Sequence, residues 1–165
     1  MGSGKILEQE DYQRAYQVGA LIAKEGWILL NGGRSSGVME ASAHGAKDNG
    51  GLTIGILPVD DPEWASAYID IPILTGIGLA RNYINVLNSR VVVALPGGTG
   101  TISEVALALN IGKKVIALNF NLGHLFANYY LEKQLIYAST PEEVIEIIKD
   151  ILNNDNPHRR EVSNV

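Results

Sequence analysis

The chain has 165 residues, 13 basic and 18 acidic, giving a net charge of −5 and 19% charged residues. That length suits one domain of ordinary size, and a 46% hydrophobic content excludes a disordered chain. A pI near 5.1 with no basic block argues against a nucleic-acid surface, and no apolar run approaches the ~20 residues of a membrane span.

In chain order, Tyr12, Tyr16, Ala20 and Ala23, with Val18, Leu21 and Ile22 between them, give a first helix its buried stripe, and Gly26 stops it. Residues 27–30 read as a strand running into the loop Asn31, Gly32, Gly33, Arg34, Ser35, Ser36, Gly37. A second helix over 38–48 closes at Asn49, Gly50 and Gly51, and an apolar run over 52–57 is a strand ended by Pro58. Asp60, Asp61 and Pro62 mark a surface loop. Residues 68–74 are extended but contain Pro72, which makes them an edge strand or no strand. Residues 79–89 read as helical, and Val91, Val92 and Val93 as a strand covered on both faces. A second glycine loop over 96–100 leads into a helix over 101–111 stopped at Gly112, then a strand over 115–118. Thr140, Pro141 and Glu143 start a last helix with Pro at its first position and a capping box.

Doubly buried strands alternating with helices predict an α/β domain: a doubly wound, parallel, Rossmann-like sheet in one domain over 1–152, followed by a polar tail over 153–165. The start is anomalous. Gly2, Ser3 and Gly4 look like a loop between a strand and a helix, yet almost nothing precedes them. The segment is read either as a flexible leader or as a chain that begins inside its fold, lacking or truncated at the first strand.

Cysteine is absent, which excludes disulfides, thiolate metal sites and cysteine nucleophiles. Residues 1–10 lack a basic start followed by an apolar stretch, so a cytoplasmic location is the default. His44, His124 and His158 fall in a helix, a loop and the tail, a spacing that predicts no metal site. Asp60, Asp61, Glu63 and Asp70 read as solvated surface before a cation cluster. Tyr129 and Tyr130 suit a subunit contact or a core equally.

Two loops share one plan: an apolar strand runs into a double glycine, a further Gly opens a helix, and an acid is expected in its first turn. These are Gly32, Gly33, Gly37 with Glu40, and Gly97, Gly98, Gly100 with Glu104. Free N–H groups at a helix start, reached over glycines without Cβ, favour phosphate, and both loops belong at the carboxyl edge of the sheet. Neither the full GxGxxG nor a Walker A motif is met, and the glycines can also serve only as turns. Thr101 and Glu104 also fit a capping box. Arg81 lies in the first turn of its helix, where a cation opposes the macrodipole; an anionic ligand or a surface ion pair would answer it.

From Arg81 and Asn82 to Leu95, Pro96, Gly97, Gly98, Thr99, Gly100, Thr101 and Glu104, the chain resembles the PGGxGTxxE motif and upstream Arg of the LOG-type, lysine decarboxylase-like Rossmann family. Residues 31–46 and 51–58 resemble more closely its short-chain branch, the molybdenum cofactor carrier proteins. The resemblance implies a homo-oligomer that holds the molybdenum cofactor by its pterin phosphate, with apo molybdoenzymes as partners. The implied contacts are Gly32, Gly33, Arg34, Ser35, Ser36, Gly37, Arg81, Pro96, Gly97, Gly98, Thr99, Gly100, Thr101 and Glu104. The alternative it implies is hydrolysis of a nucleoside monophosphate to free base and ribose 5-phosphate, with Arg81 and Glu104 catalytic.

Overall fold

A computed structural model describes residues 1–5 and 9–154; most of the tail expected over 153–165 lies outside the described residues. Two three-stranded parallel sheets carry the fold. The first has β1 (Leu29–Asn31), β2 (Thr53–Leu57) and β3 (Ile71–Leu74) in that order; the second has β4 (Val92–Ala94), β5 (Val115–Leu118) and β6 (Leu135–Ala138). Helices α1 (Gln9–Lys24), α2 (Gly37–Asp48), α3 (Arg81–Asn88), α4 (Thr99–Asn110), α5 (Ala127–Leu131) and α6 (Pro141–Asn154) alternate with them. This is the doubly wound, Rossmann-like arrangement in one domain, with α2 and α4 as crossovers between parallel neighbours.

Strand β5 shows why such a strand carries an unbroken apolar run. Ile116 and Leu118 pack into a core with α1, α2 and α6, while Val115 and Ala117 face a second core with Val86 of α3 and Val105, Ala108 and Leu109 of α4. Alternate side chains leave opposite faces of a strand, so helices on both faces demand apolar residues at every position.

Residues 1–3 are not a free leader. The Met1 amino group donates to Val93 O (2.6 Å), Leu95 N donates to Met1 O (2.9 Å), and Ser3 N donates to Pro96 O (3.1 Å). Ser3 O then accepts from Val38 N at the start of α2 (2.9 Å). The segment thus runs along β4 and ties the second glycine loop to the first. Gly37 is required here: its φ is +56°, and a Cβ would overlap Ser3 O.

Other boundaries shift for local reasons. Strand β1 includes Asn31, whose side chain accepts from Gly33 N (2.8 Å) and donates to Met39 O (3.0 Å), locking the first loop. Pro72 sits inside β3, which among the described residues pairs with β2 alone and is therefore an edge strand. Helix α4 starts at Thr99 with Gly98 as its N-cap, so Thr101 and Glu104 do not form a capping box and Glu104 lies beyond the first turn. At α6 the box forms with one change of register: Glu143 N donates to Thr140 Oγ1 (3.1 Å), while the Glu143 carboxylate accepts from Ser139 N (2.7 Å). Helix α5 and strand β6 have no counterpart in the sequence reading. Each is too short to show a period, and Lys133 between them adopts φ 55°.

Candidate anion-binding site

Both glycine loops emerge at the carboxyl ends of their strands, the first from β1 and the second from β4, and they border a cavity of about 1080 Å³. Gly32, Arg34, Arg81, Gly98, Thr99, Gly100, Thr101 and Glu104 line it, together with Asn82 and Asn85 of α3. Gly33, Ser35, Ser36, Gly37, Pro96 and Gly97 do not reach the cavity wall. They shape the loops behind it: Gly33 has φ +73° and lies against the backbone of Gly55, and Ser36 is the N-cap of α2.

Arg81 is the central group. Helix α3 opens on it, and the side chain turns inward until only 8% of the residue is exposed. Among the described residues its guanidinium has no hydrogen bond and no carboxylate within 4.0 Å, and Nε is fully buried without a partner. Burial pushes the guanidinium below its usual pKa, Glu104 opposes that shift, and the nearby charge of Arg34 adds to it. The loop makes room for this cation. A Cβ on Gly32 would run into both Nη atoms of Arg81.

Glu104 enters from α4, 7% exposed, and accepts a hydrogen bond from Asn85 Nδ2 (3.0 Å). Asn85 stands one turn after Arg81 on α3, so a single helix supplies both the cation and the residue that orients the acid. Asn85 Oδ1 has no partner among the described residues. The site therefore holds a buried unpaired cation, a second cation on the loop opposite, a carboxylate fixed through one oxygen, and the amino end of α4. Unsatisfied N–H groups and two guanidiniums favour an anion with several oxygens.

Arg34, Arg81 and Glu104 stand out in the sequence; Asn85 does not, nor does Trp64, which packs on Arg34 with the guanidinium carbon 5.3 Å from the ring centroid. Other singled-out residues lie elsewhere. Asp70 accepts from Thr53 N (2.9 Å) and pairs with Lys47. Asp61 accepts from Glu63 N (2.9 Å), capping a 3-10 turn. His44 accepts from or donates to Tyr12 OH (2.9 Å) and stacks on Tyr68. His124 starts a 3-10 turn, and His158 lies outside the described residues. Tyr130 is exposed beside Tyr137. Among the described residues no helix is long and apolar enough to cross a membrane, and no group of three His, Asp or Glu could hold a metal.

Parallel strands with helices on both faces and paired glycine loops at the carboxyl edge define a Rossmann-like α/β binding protein. The model of the SLOG cluster4 family matches residues 1–145, and the chain belongs to that family. Among solved structures it resembles the molybdenum cofactor binding protein of the phototrophic bacterium Rippkaea orientalis (52% identity, 92% of this chain and 94% of that one, TM-score 0.86). It also resembles the molybdenum cofactor carrier protein of Chlamydomonas reinhardtii (41%, 93% and 95%, TM-score 0.84). A cytokinin riboside 5'-monophosphate phosphoribohydrolase of Mycobacterium tuberculosis is 38% identical over 93 residues, 55% of this chain. The chain spans half the length of that enzyme, 50%.

Proposed function

We propose that this chain binds the molybdenum cofactor as a carrier, holding its pterin phosphate between the two glycine loops. The observation that carries the reading is Arg81, a buried guanidinium without a partner among the described residues. An uncompensated buried charge costs several kcal/mol (on the order of 3–5), which a bound phosphate would offset. Similarity across nearly the whole chain to a molybdenum cofactor binding protein supports the choice of ligand. With no cysteine to offer the metal a thiolate, recognition falls to the phosphate, backbone amides and polar side chains. Gly32, Arg34, Arg81, Gly98 and Thr101 are the first contacts, with Gly33, Ser35, Ser36, Gly37, Pro96, Gly97, Thr99, Gly100 and Glu104 around them.

The carrier acts in the cytoplasm as a homo-oligomer and passes its cargo to apo molybdoenzymes. An exposed stripe on one face of the α3 segment, Leu79, Tyr83 and Leu87, supports self-association. The test is incubation with cofactor, then measurement of retention and of transfer to an apo molybdoenzyme. Protection above that given by a control protein is expected; none would contradict the reading.

A second reading rests on Asn85 and Glu104. A buried carboxylate fixed through one oxygen could stabilise an oxocarbenium-like centre or orient water while Arg81 holds the phosphate. Release of ribose 5-phosphate from adenosine or isopentenyladenosine monophosphate, abolished in Glu104→Gln, would support hydrolysis. No product would remove it.

A further inference from the structure

Arg34 is the second cation of the site, and it is held differently from Arg81. It is exposed on the first glycine loop, lines the cavity, and has no carboxylate within 4.0 Å among the described residues. Its guanidinium lies over the indole of Trp64. Trp64 comes from a separate excursion of the chain between β2 and β3, and that excursion is tied to the loop. Ser66 N donates to Gly33 O (2.8 Å), and Arg34 and Ala65 form an antiparallel bridge. Pro62 opens a 3-10 turn capped by Asp61, and Ala65 N donates to Pro62 O (3.0 Å), so the turn that carries Trp64 is set by its own bonds. Trp64 is nevertheless 47% exposed. The fold leaves a large ring in water to back one arginine.

We infer that Trp64 and Arg34 form a stacking subsite for a planar nitrogen heterocycle, with Trp64 as the positioning residue that determines specificity for that ring. The guanidinium lies over the indole, and Arg34, but not Trp64, lines the cavity. A flat ring laid on the guanidinium from the cavity completes a three-layer stack, indole, guanidinium, heterocycle, while Arg81 and the amino end of α4 take the phosphate. Arginine suits this position because its charge is spread over a plane that stacks as well as attracts. Holding the plane in advance removes the cost of ordering a long side chain when the ligand arrives. The ligand class is thus a phosphate ester of a purine or pterin, in preference to a sugar phosphate.

The inference rests on the phosphate reading above, and its test separates the two. Titration calorimetry compares guanosine monophosphate, which carries the 2-amino-4-oxopyrimidine ring of a pterin, with ribose 5-phosphate, which has the phosphate and no ring. Wild type is expected to bind the nucleotide at least about tenfold more tightly than the sugar phosphate. Trp64→Leu should bring the two within about threefold of each other, Trp64→Phe should keep the preference, and Arg34→Lys, which retains charge without the plane, should behave like Trp64→Leu. A preference unchanged in Trp64→Leu, or absent in wild type while both probes bind, overturns the stacking subsite and leaves the phosphate reading standing. Failure of wild type to bind either probe overturns both.

Discussion

The site is built around one side chain whose state without ligand is costly. Arg81 has given up most of its hydration and received no hydrogen bond in return among the described residues. Arg81→Met should therefore leave the ligand-free protein as stable as wild type or about 1–3 kcal/mol more so, while removing all stabilisation by phosphate ligands. Thermal melts with and without ribose 5-phosphate check both halves. Gly32→Ala should act through the same group, because the new methyl would displace the Arg81 Nη atoms; affinity should fall at least about tenfold with little change in melting temperature. Glu104→Gln keeps an oxygen for Asn85 Nδ2 and deletes a negative charge beside the phosphate, so ribose 5-phosphate should bind severalfold more tightly at neutral pH. Arg81 and Glu104 were legible in the sequence because they stand in a motif. Asn85 was not: nothing local marks it, and its meaning arises only when α3 and α4 pack side by side. Glu104 itself was ambiguous until the fold placed the start of α4 at Thr99, which removed the capping role.

At the scale of elements, glycine does two kinds of work, and only one was visible. The loop glycines announced themselves by clustering after apolar runs. Gly19 and Gly45 sit inside helices, where glycine costs about 1 kcal/mol against alanine, and no turn explains them. They let α1 and α2 touch backbone to backbone: a Cβ on Gly19 would overlap Ser42 O, and one on Gly45 would overlap Tyr16 O. Gly19→Ala and Gly45→Ala should each destabilise the fold by about 2–3 kcal/mol despite better helix propensity, as urea melts would show. Asp70 ties β3 to β2 and α2. Lys47 first, and then the Thr53 N–H, hold its carboxyl below the usual carboxylate range. A depressed folded-state pKa gives stability that is present at neutral pH and lost as pH falls below the usual carboxylate range and through the folded value. Asp70→Asn should be less stable than wild type at pH 7, and the difference should shrink on acidification below that range. Acid melts of the two proteins would measure it.

At the scale of the molecule, a parallel α/β arrangement was readable because its strands are short and rich in apolar residues, a pattern that β5 carries through all four of its buried residues. What could not be read was how residues 1–3 are used, since a strand-like contact formed by three residues with β4 leaves no period in the sequence. The exposed stripe of Leu79 (80% exposed), Tyr83 and Leu87 lies on α3 and the turn before it, the segment that supplies Arg81. Leu87→Asp, remote from Arg81 on that helix, should leave only monomer in light scattering where the proposed self-association makes wild type an oligomer, while the far-ultraviolet circular dichroism stays native. The proposed seat of the phosphate-bearing cargo is Arg81, which has no partner among the described residues. That role is tested most directly by incubating wild type and Arg81→Met with molybdenum cofactor, removing free cofactor by gel filtration, and assaying what each passes to an apo molybdoenzyme. Wild type should retain and transfer the cofactor and Arg81→Met should do neither; equal retention by the two proteins would show that Arg81 does not hold the phosphate.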